Sequence, residues 1–100
     1  MSHIARASTA VSVLTSSTVV AGNNPGRLSI TVVNDGSFTV YLDLATDQME
    51  QNDDPIAPTA TANSGIRLNA NGGSWTETEY SGPVAGIASG GTSVCTVAEV

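Results

Sequence analysis

Apolar residues recur at every second position over several short stretches, and that period is the signature of half-buried β-strands. Ser8 to Val20 alternates weakly, with Val11 and Val13 and then Val19 and Val20 among serines and threonines, as in one or two short strands. Gly22-Asn23-Asn24-Pro25-Gly26 is a turn by composition. The clearest pattern follows: Leu28, Ile30 and Val32, then Asn34-Asp35-Gly36, then Phe38, Val40 and Leu42. It predicts a β-hairpin with a three-residue loop, two right-handed residues and a left-handed Gly36. In that register Val33 faces Ser37, and Leu28, Ile30 and Val32 lie opposite Leu42, Val40 and Phe38. Ser29 and Thr31 meet Tyr41 and Thr39 on the other face. A two-residue loop would slip the register by one and send the two apolar sets to opposite faces.

The alternation lapses from Ala45 to Asn63, where Pro55 and Pro58 fall. A connection of this length in a small domain is usually functional or disordered. Leu44 to Gln51 has the spacing of a short helical turn, which Pro55 would end. Strand patterning resumes at Gly65 to Leu68, Ser74 to Tyr80, Val84 to Ala88 and Thr92 to Val100, separated by Asn69 to Gly73, Ser81-Gly82-Pro83 and Gly90-Gly91. The fold class expected is all-β: a small antiparallel β-sandwich or barrel of about seven short strands with one long acidic loop. The division expected is a flexible N-terminal tail over residues 1–8 and a single β domain over 9–100.

Composition supports strands over helices. Valine is prominent, aromatics are 4% of the chain, and serine and threonine together make up nearly a quarter of it. Charge narrows the partners. The chain has no lysine, only Arg6, Arg27 and Arg67 are basic, and the formal net charge is −6. Displacing phosphate counterions takes several cations, so no direct nucleic-acid binding is expected, and no docking on an anionic membrane. No apolar run approaches the roughly 20 residues needed to cross a bilayer. Met1 to Arg6 lacks a secretion-signal pattern, which points to synthesis in a cytoplasm.

Candidate chemistry is sparse. Cys95 is the single cysteine and lies in an alternating apolar strand, as a small buried hydrophobe does. His3, the single histidine, lies in the tail, so a Ser-His or Cys-His nucleophile pair would have to be built from a mobile end. Asp43, Asp47, Glu50, Asp53 and Asp54 crowd one window without the arrangement that wraps a calcium ion. They read as a solvated acidic loop, and no cofactor or metal is expected. Gly72-Gly73 and Gly90-Gly91 lie between strands and form turns rather than a phosphate cradle. Trp75 shares its strand face with Glu77 and Glu79, as on a partly exposed rim or an interface, with Arg27 and Arg67 near enough in pattern to pair with those acids at the surface.

Several motifs occur in a fixed order: Asn24-Pro25-Gly26-Arg27, Asn34-Asp35-Gly36, Val40-Tyr41-Leu42, Gly65-Ile66-Arg67-Leu68 and Gly72-Gly73-Ser74-Trp75, then Tyr80-Ser81-Gly82-Pro83-Val84, Gly86-Ile87-Ala88-Ser89-Gly90 and Val97-Ala98-Glu99. In this order, from Val11 to Glu99, the chain resembles small virion structural proteins of tailed bacteriophages. The resemblance implies a β-sandwich or barrel module of the virion with no enzymatic role. The leading expectation is a capsid decoration, or cement, protein that binds the major capsid protein on the outside of the assembled head, across subunit boundaries. It would be a homo-oligomer, a trimer being favoured. The alternative is a tail, neck or fibre component acting as a receptor- or glycan-binding module. Ile4, Arg6, Asp47, Glu50, Asp53, Asp54 and Trp75 are the candidate partner contacts.

Overall fold

A computed structural model describes residues 8–44 and 58–100, and these form eight strands and no helix. In chain order they are β1 (Thr9–Val13), β2 (Thr18–Ala21), β3 (Ser29–Asn34), β4 (Val40–Leu44), β5 (Ile66–Leu68), β6 (Gly73–Thr78), β7 (Val84–Ala88) and β8 (Ser93–Glu99). They build two four-stranded antiparallel sheets, ordered β1-β8-β3-β6 and β2-β7-β4-β5. The architecture is therefore a sandwich and not a closed barrel. The expected helical turn at 44–51 and the acidic loop fall mostly outside the described residues, as does nearly all of the tail; Leu44 itself ends β4.

The pairings β1 with β8, β2 with β7, β3 with β6 and β4 with β5 are those of one long hairpin whose tip is the β4–β5 connection. Rolling that hairpin up brings β3 against β8 and β4 against β7. Every other connection between consecutive strands passes from one sheet to the other. Eight strands in this order are a jelly roll.

The hairpin expected at 28–42 does not form. β3 and β4 lie in opposite sheets, and both edges of β3 are occupied, by β6 and β8. Residues 35–39 form an arch between the sheets, and Gly36 is not among the residues with positive φ. Strand alternation survives the change. Ile30, Val32, Val40 and Leu42 are all fully buried, from two sheets instead of one. Phe38, which was to pair with Val32, instead lies on the next arch, where a side chain at Gly91 would meet its ring at 2.5 Å. Gly36 is needed for proximity: a Cβ there would stand 1.9 Å from Ser93 Oγ and 2.7 Å from Ser93 Cα.

The arch is held by a buried amide. The two hydrogens of Asn34 Nδ2 are shared among the carbonyls of Phe38 (2.7 Å), Leu68 (3.1 Å) and Asn69 (3.2 Å). Asn34 Oδ1 accepts from Gly36 N (3.1 Å) and Ser93 Oγ (2.7 Å). Asp35 N donates to Val94 O, and Gly72 N to Asn34 O. Three connections therefore converge on one side chain that occupies a core position of β3. Among the described residues, no buried side-chain nitrogen or oxygen lacks a partner, as expected where an unpaired polar group would cost about 1–3 kcal/mol.

A second polar clamp closes the other end. Arg27 is 3% exposed; its Nε and Nη2 donate to Glu99 Oε1 at 2.9 and 2.6 Å. Nη1 reaches the carbonyls of Gly82 (2.8 Å) and Tyr80 (3.3 Å), and Nη2 that of Gly22 (2.8 Å). The surface pairing of Arg27 with Glu77 or Glu79 is thus replaced by an ion pair between the buried Arg27 and the partly exposed Glu99 that ties the 22–26 turn and the 80–82 turn to β8. Only a guanidinium has enough donors in one plane for this set of acceptors.

Candidate functional site

Burial alternates along the strands of the β1-β8-β3-β6 sheet, so its outward positions follow from the register. They form rows across the sheet: Ala10, Thr96, Val33 and Ser74; Ala98, Thr31 and Thr76; Ser12 and Val94. Ser29 and Thr78 complete the face beside the Arg27 end. None of these side chains is charged and none is aromatic. Thr31 and Thr76 share a hydrogen bond between their Oγ1 atoms at 2.9 Å, and Val94 is 42% exposed. An acidic chain thus presents one face of hydroxyls and methyls whose strand positions are uncharged, with the exposed Asp35 carboxylate at its edge accepting from Thr96 Oγ1. Strand spacing and rise set its extent at about 400 Å².

The opposite sheet differs. Tyr41, Asp43, Arg67 and Ile87 point outward from it, and residues 58–64 run across part of it. Ala60 N donates to Ser17 Oγ (2.9 Å), and Tyr41 OH to Asn63 Oδ1 (3.0 Å). Gly65, at φ 93°, passes so close to β4 that a Cβ would lie 2.3 Å from Leu42 O.

Of the candidate contact residues, Trp75 alone is described. It projects from the inner side of the edge strand β6, opposite Val32, half-buried against the core. Glu77 shares that side, whereas Glu79 lies beyond the strand in a left-handed conformation (φ 66°). Ile4, Arg6, Asp47, Glu50, Asp53 and Asp54 lie outside the described residues.

Cys95 is fully buried, facing the core between Val11 and Asn34. Burial, and secondarily the charge of Asp35, pushes its thiol up to about 11. A thiol in that state is a packing group rather than a nucleophile. Among the described residues no three His, Cys, Asp or Glu side chains come together as a metal would require. No helix among them is long and apolar enough to cross a membrane.

Sequence reasoning missed the Asn34 and Arg27 clusters and the neutral face. Asn34 had a visible signal, a polar side chain at the core-facing position of an otherwise apolar alternation. The neutral face had one too, in uncharged residues at every outward position, but it became a surface only when the strand order was known.

The fold defines a class, the eight-stranded jelly roll, which serves viral capsid, lectin and cupin domains alike. No family model, curated protein or solved structure matches the chain.

Proposed function

We propose that this chain is a virion structural protein without enzymatic activity, a capsid decoration protein that binds the outside of an assembled head across subunit boundaries. The observation that carries the proposal is the outer face of the β1-β8-β3-β6 sheet, whose strand positions are all uncharged and which has Asp35 alone at its Thr96 edge, on an otherwise acidic jelly roll. The motif order resembling phage virion proteins supports it, and the fold, by analogy alone, is compatible with it.

A face of about 400 Å² is half of what each partner gives to a standard stable interface. A single such contact is weak. Repeated around a shell, and joined to contacts from Ile4, Arg6 and the acidic 45–54 segment, it becomes sufficient through effective concentration. A protein that binds only the assembled state stabilises that state by mass action, and needs no active site to do so. Apart from Asp35 at its edge, the face offers no charge to desolvate when it is covered. The partner is the major capsid protein or another virion protein; neither nucleic acid nor membrane takes part. The protein is made in the host cytoplasm and resides in the virion. Half-exposed Trp75 on an edge strand favours the second reading, a tail, neck or fibre module that binds a receptor or glycan, since aromatic side chains anchor interfaces.

The test is the copy number per purified particle of the virus that encodes the chain, measured by quantitative mass spectrometry against the major capsid subunit. One copy per capsid subunit, or a simple fraction of it, is expected. A few copies per particle would transfer the protein to the tail or fibre, and absence from particles would refute both readings.

A further inference from the structure

Each sheet has two edges, and three of the four strands there carry a device that discourages pairing with another chain. β2 is four residues long and breaks register between Val19 and Ala21. β5 is three residues long, with Arg67 at its centre. β6 carries Glu77 on its inward side. A bulge, extreme shortness and an inward-pointing charge are the usual means by which sheet edges are kept single. β1 has none of them. Its five residues pair with β8 in unbroken register, with no proline and no charge.

Among the described residues the surroundings of β1 are equally unguarded. No residue from Ser8 to Gly26 is charged, in a chain whose formal net charge is −6. Leu14 and Val19, on the same side of the sandwich, are 46% and 62% exposed, and Val11 is only partly buried although it faces the core. We propose that β1 is a self-pairing edge: two copies join antiparallel through β1 about a two-fold axis, continuing their four-stranded sheets into one of eight strands.

The residue order favours a second copy as the occupant. β1 reads Thr9, Ala10, Val11, Ser12, Val13, which is symmetric by class: β-branched, small, β-branched, small, β-branched. Antiparallel pairing centred on Val11 sets Val11 against its own copy and Thr9 against Val13, all on the inner side. Ala10 falls opposite Ser12 on the outer side, where small side chains let the strands approach. Cross-strand pairs of this kind are the stabilising unit of a sheet, and a two-fold contact must be self-complementary in this way. Two copies of an acidic chain repel through their charged surfaces, and of the sheet edges only the one at β1 is free of charge and of pairing blocks. This pairing uses up the edge in both copies and makes a dimer, in place of the trimer expected from the resemblance. It also makes the neutral outer faces of the two sheets continuous.

The test is sedimentation equilibrium on the whole chain from about 5 to 500 µM, with two variants. Ala10 and Ser12 are exposed and point outward, so A10E/S12E and A10K/S12K should fold, which unchanged thermal melting at low concentration verifies. The unaltered chain is expected to associate to a dimer. Each variant alone sets like charges opposite one another and should weaken the dimer at least about tenfold. An equimolar mixture of the two should restore it as a heterodimer. A chain that stays monomeric throughout, a dimer or trimer indifferent to both variants, or a mixture that fails to re-associate would each overturn the proposal.

Discussion

Replacing Asn34 tests the account of how this chain arches between sheets. The side chain is fully buried; the two Nδ2 hydrogens serve three carbonyls, one of them shared between two, and Oδ1 accepts twice. In Asn34→Ala, some former partners keep another bond: Phe38 O still receives Ser93 Oγ at 3.1 Å, and Asn69 O still receives Gly73 N at 3.1 Å. Leu68 O and Gly36 N lose the side chain that satisfied them. Two orphaned groups at about 1–3 kcal/mol each, together with the cavity, put the loss at roughly 3–5 kcal/mol. That is a large part of the 5–15 kcal/mol typical of a domain.

Asn34→Asp makes the more discriminating variant, because it keeps the shape and reverses the hydrogen-bonding sense at Nδ2. A carboxylate oxygen would then confront three carbonyl oxygens away from water. Its pKa in the folded protein must rise above the unfolded carboxyl value of about 3.9. The folded state then binds the proton more tightly than the unfolded state does. Stability is retained below about pH 3.9 and lost as pH rises through the folded-state value. Urea unfolding followed by fluorescence of Trp75, the single tryptophan, should find this variant much weaker at pH 7 than at pH 4, by comparison with the parent. An alanine variant within about 1 kcal/mol of the parent, or an aspartate variant with the parent's pH profile, would show that Asn34 does not hold the arch.

Other consequences can be checked on the same material. Glu79 sits at φ 66°, so Glu79→Gly should raise stability by about 0.5–1 kcal/mol in urea unfolding; a decrease would mean its side chain matters more than its backbone. Arg27→Met removes the buried cation and leaves Glu99 and three carbonyls short of donors, for an expected loss of about 3–5 kcal/mol; a neutral result would refute the clamp. Gly36→Ala should be strongly destabilising, and adding Ser93→Ala should not rescue it, because the new Cβ still meets Ser93 Cα at 2.7 Å; full rescue would place the clash in the hydroxyl alone. Cys95 should resist alkylation at pH 8 until the protein unfolds. Because its folded-state pKa is raised from 9.0 to about 11, it should also withdraw about 2–3 kcal/mol of stability as pH climbs through that window; rapid labelling of native protein would contradict its burial.

The all-β class, most strand positions and the inward residues were legible along the chain. Alternation is a local property of the pleat, so Ile30, Val32, Val40, Leu42, Cys95 and Val97 identify themselves as core wherever their strands end up. Pairing is not local. A strand pattern says which side faces inward but not which edge receives which neighbour, and facing across a core satisfies the same alternation as lying side by side. The arch at 35–39 was therefore misread as a hairpin. What decided it was distant in sequence: Ser93, Leu68 and Asn69 gathering on Asn34, and β8 and β6 taking both edges of β3. The neutral face and the unguarded β1 edge have the same origin. Their residues are ordinary serines, threonines, valines and alanines scattered from Ala10 to Ala98. Only the rolled-up strand order, a matter of tertiary packing, assembles them into one surface.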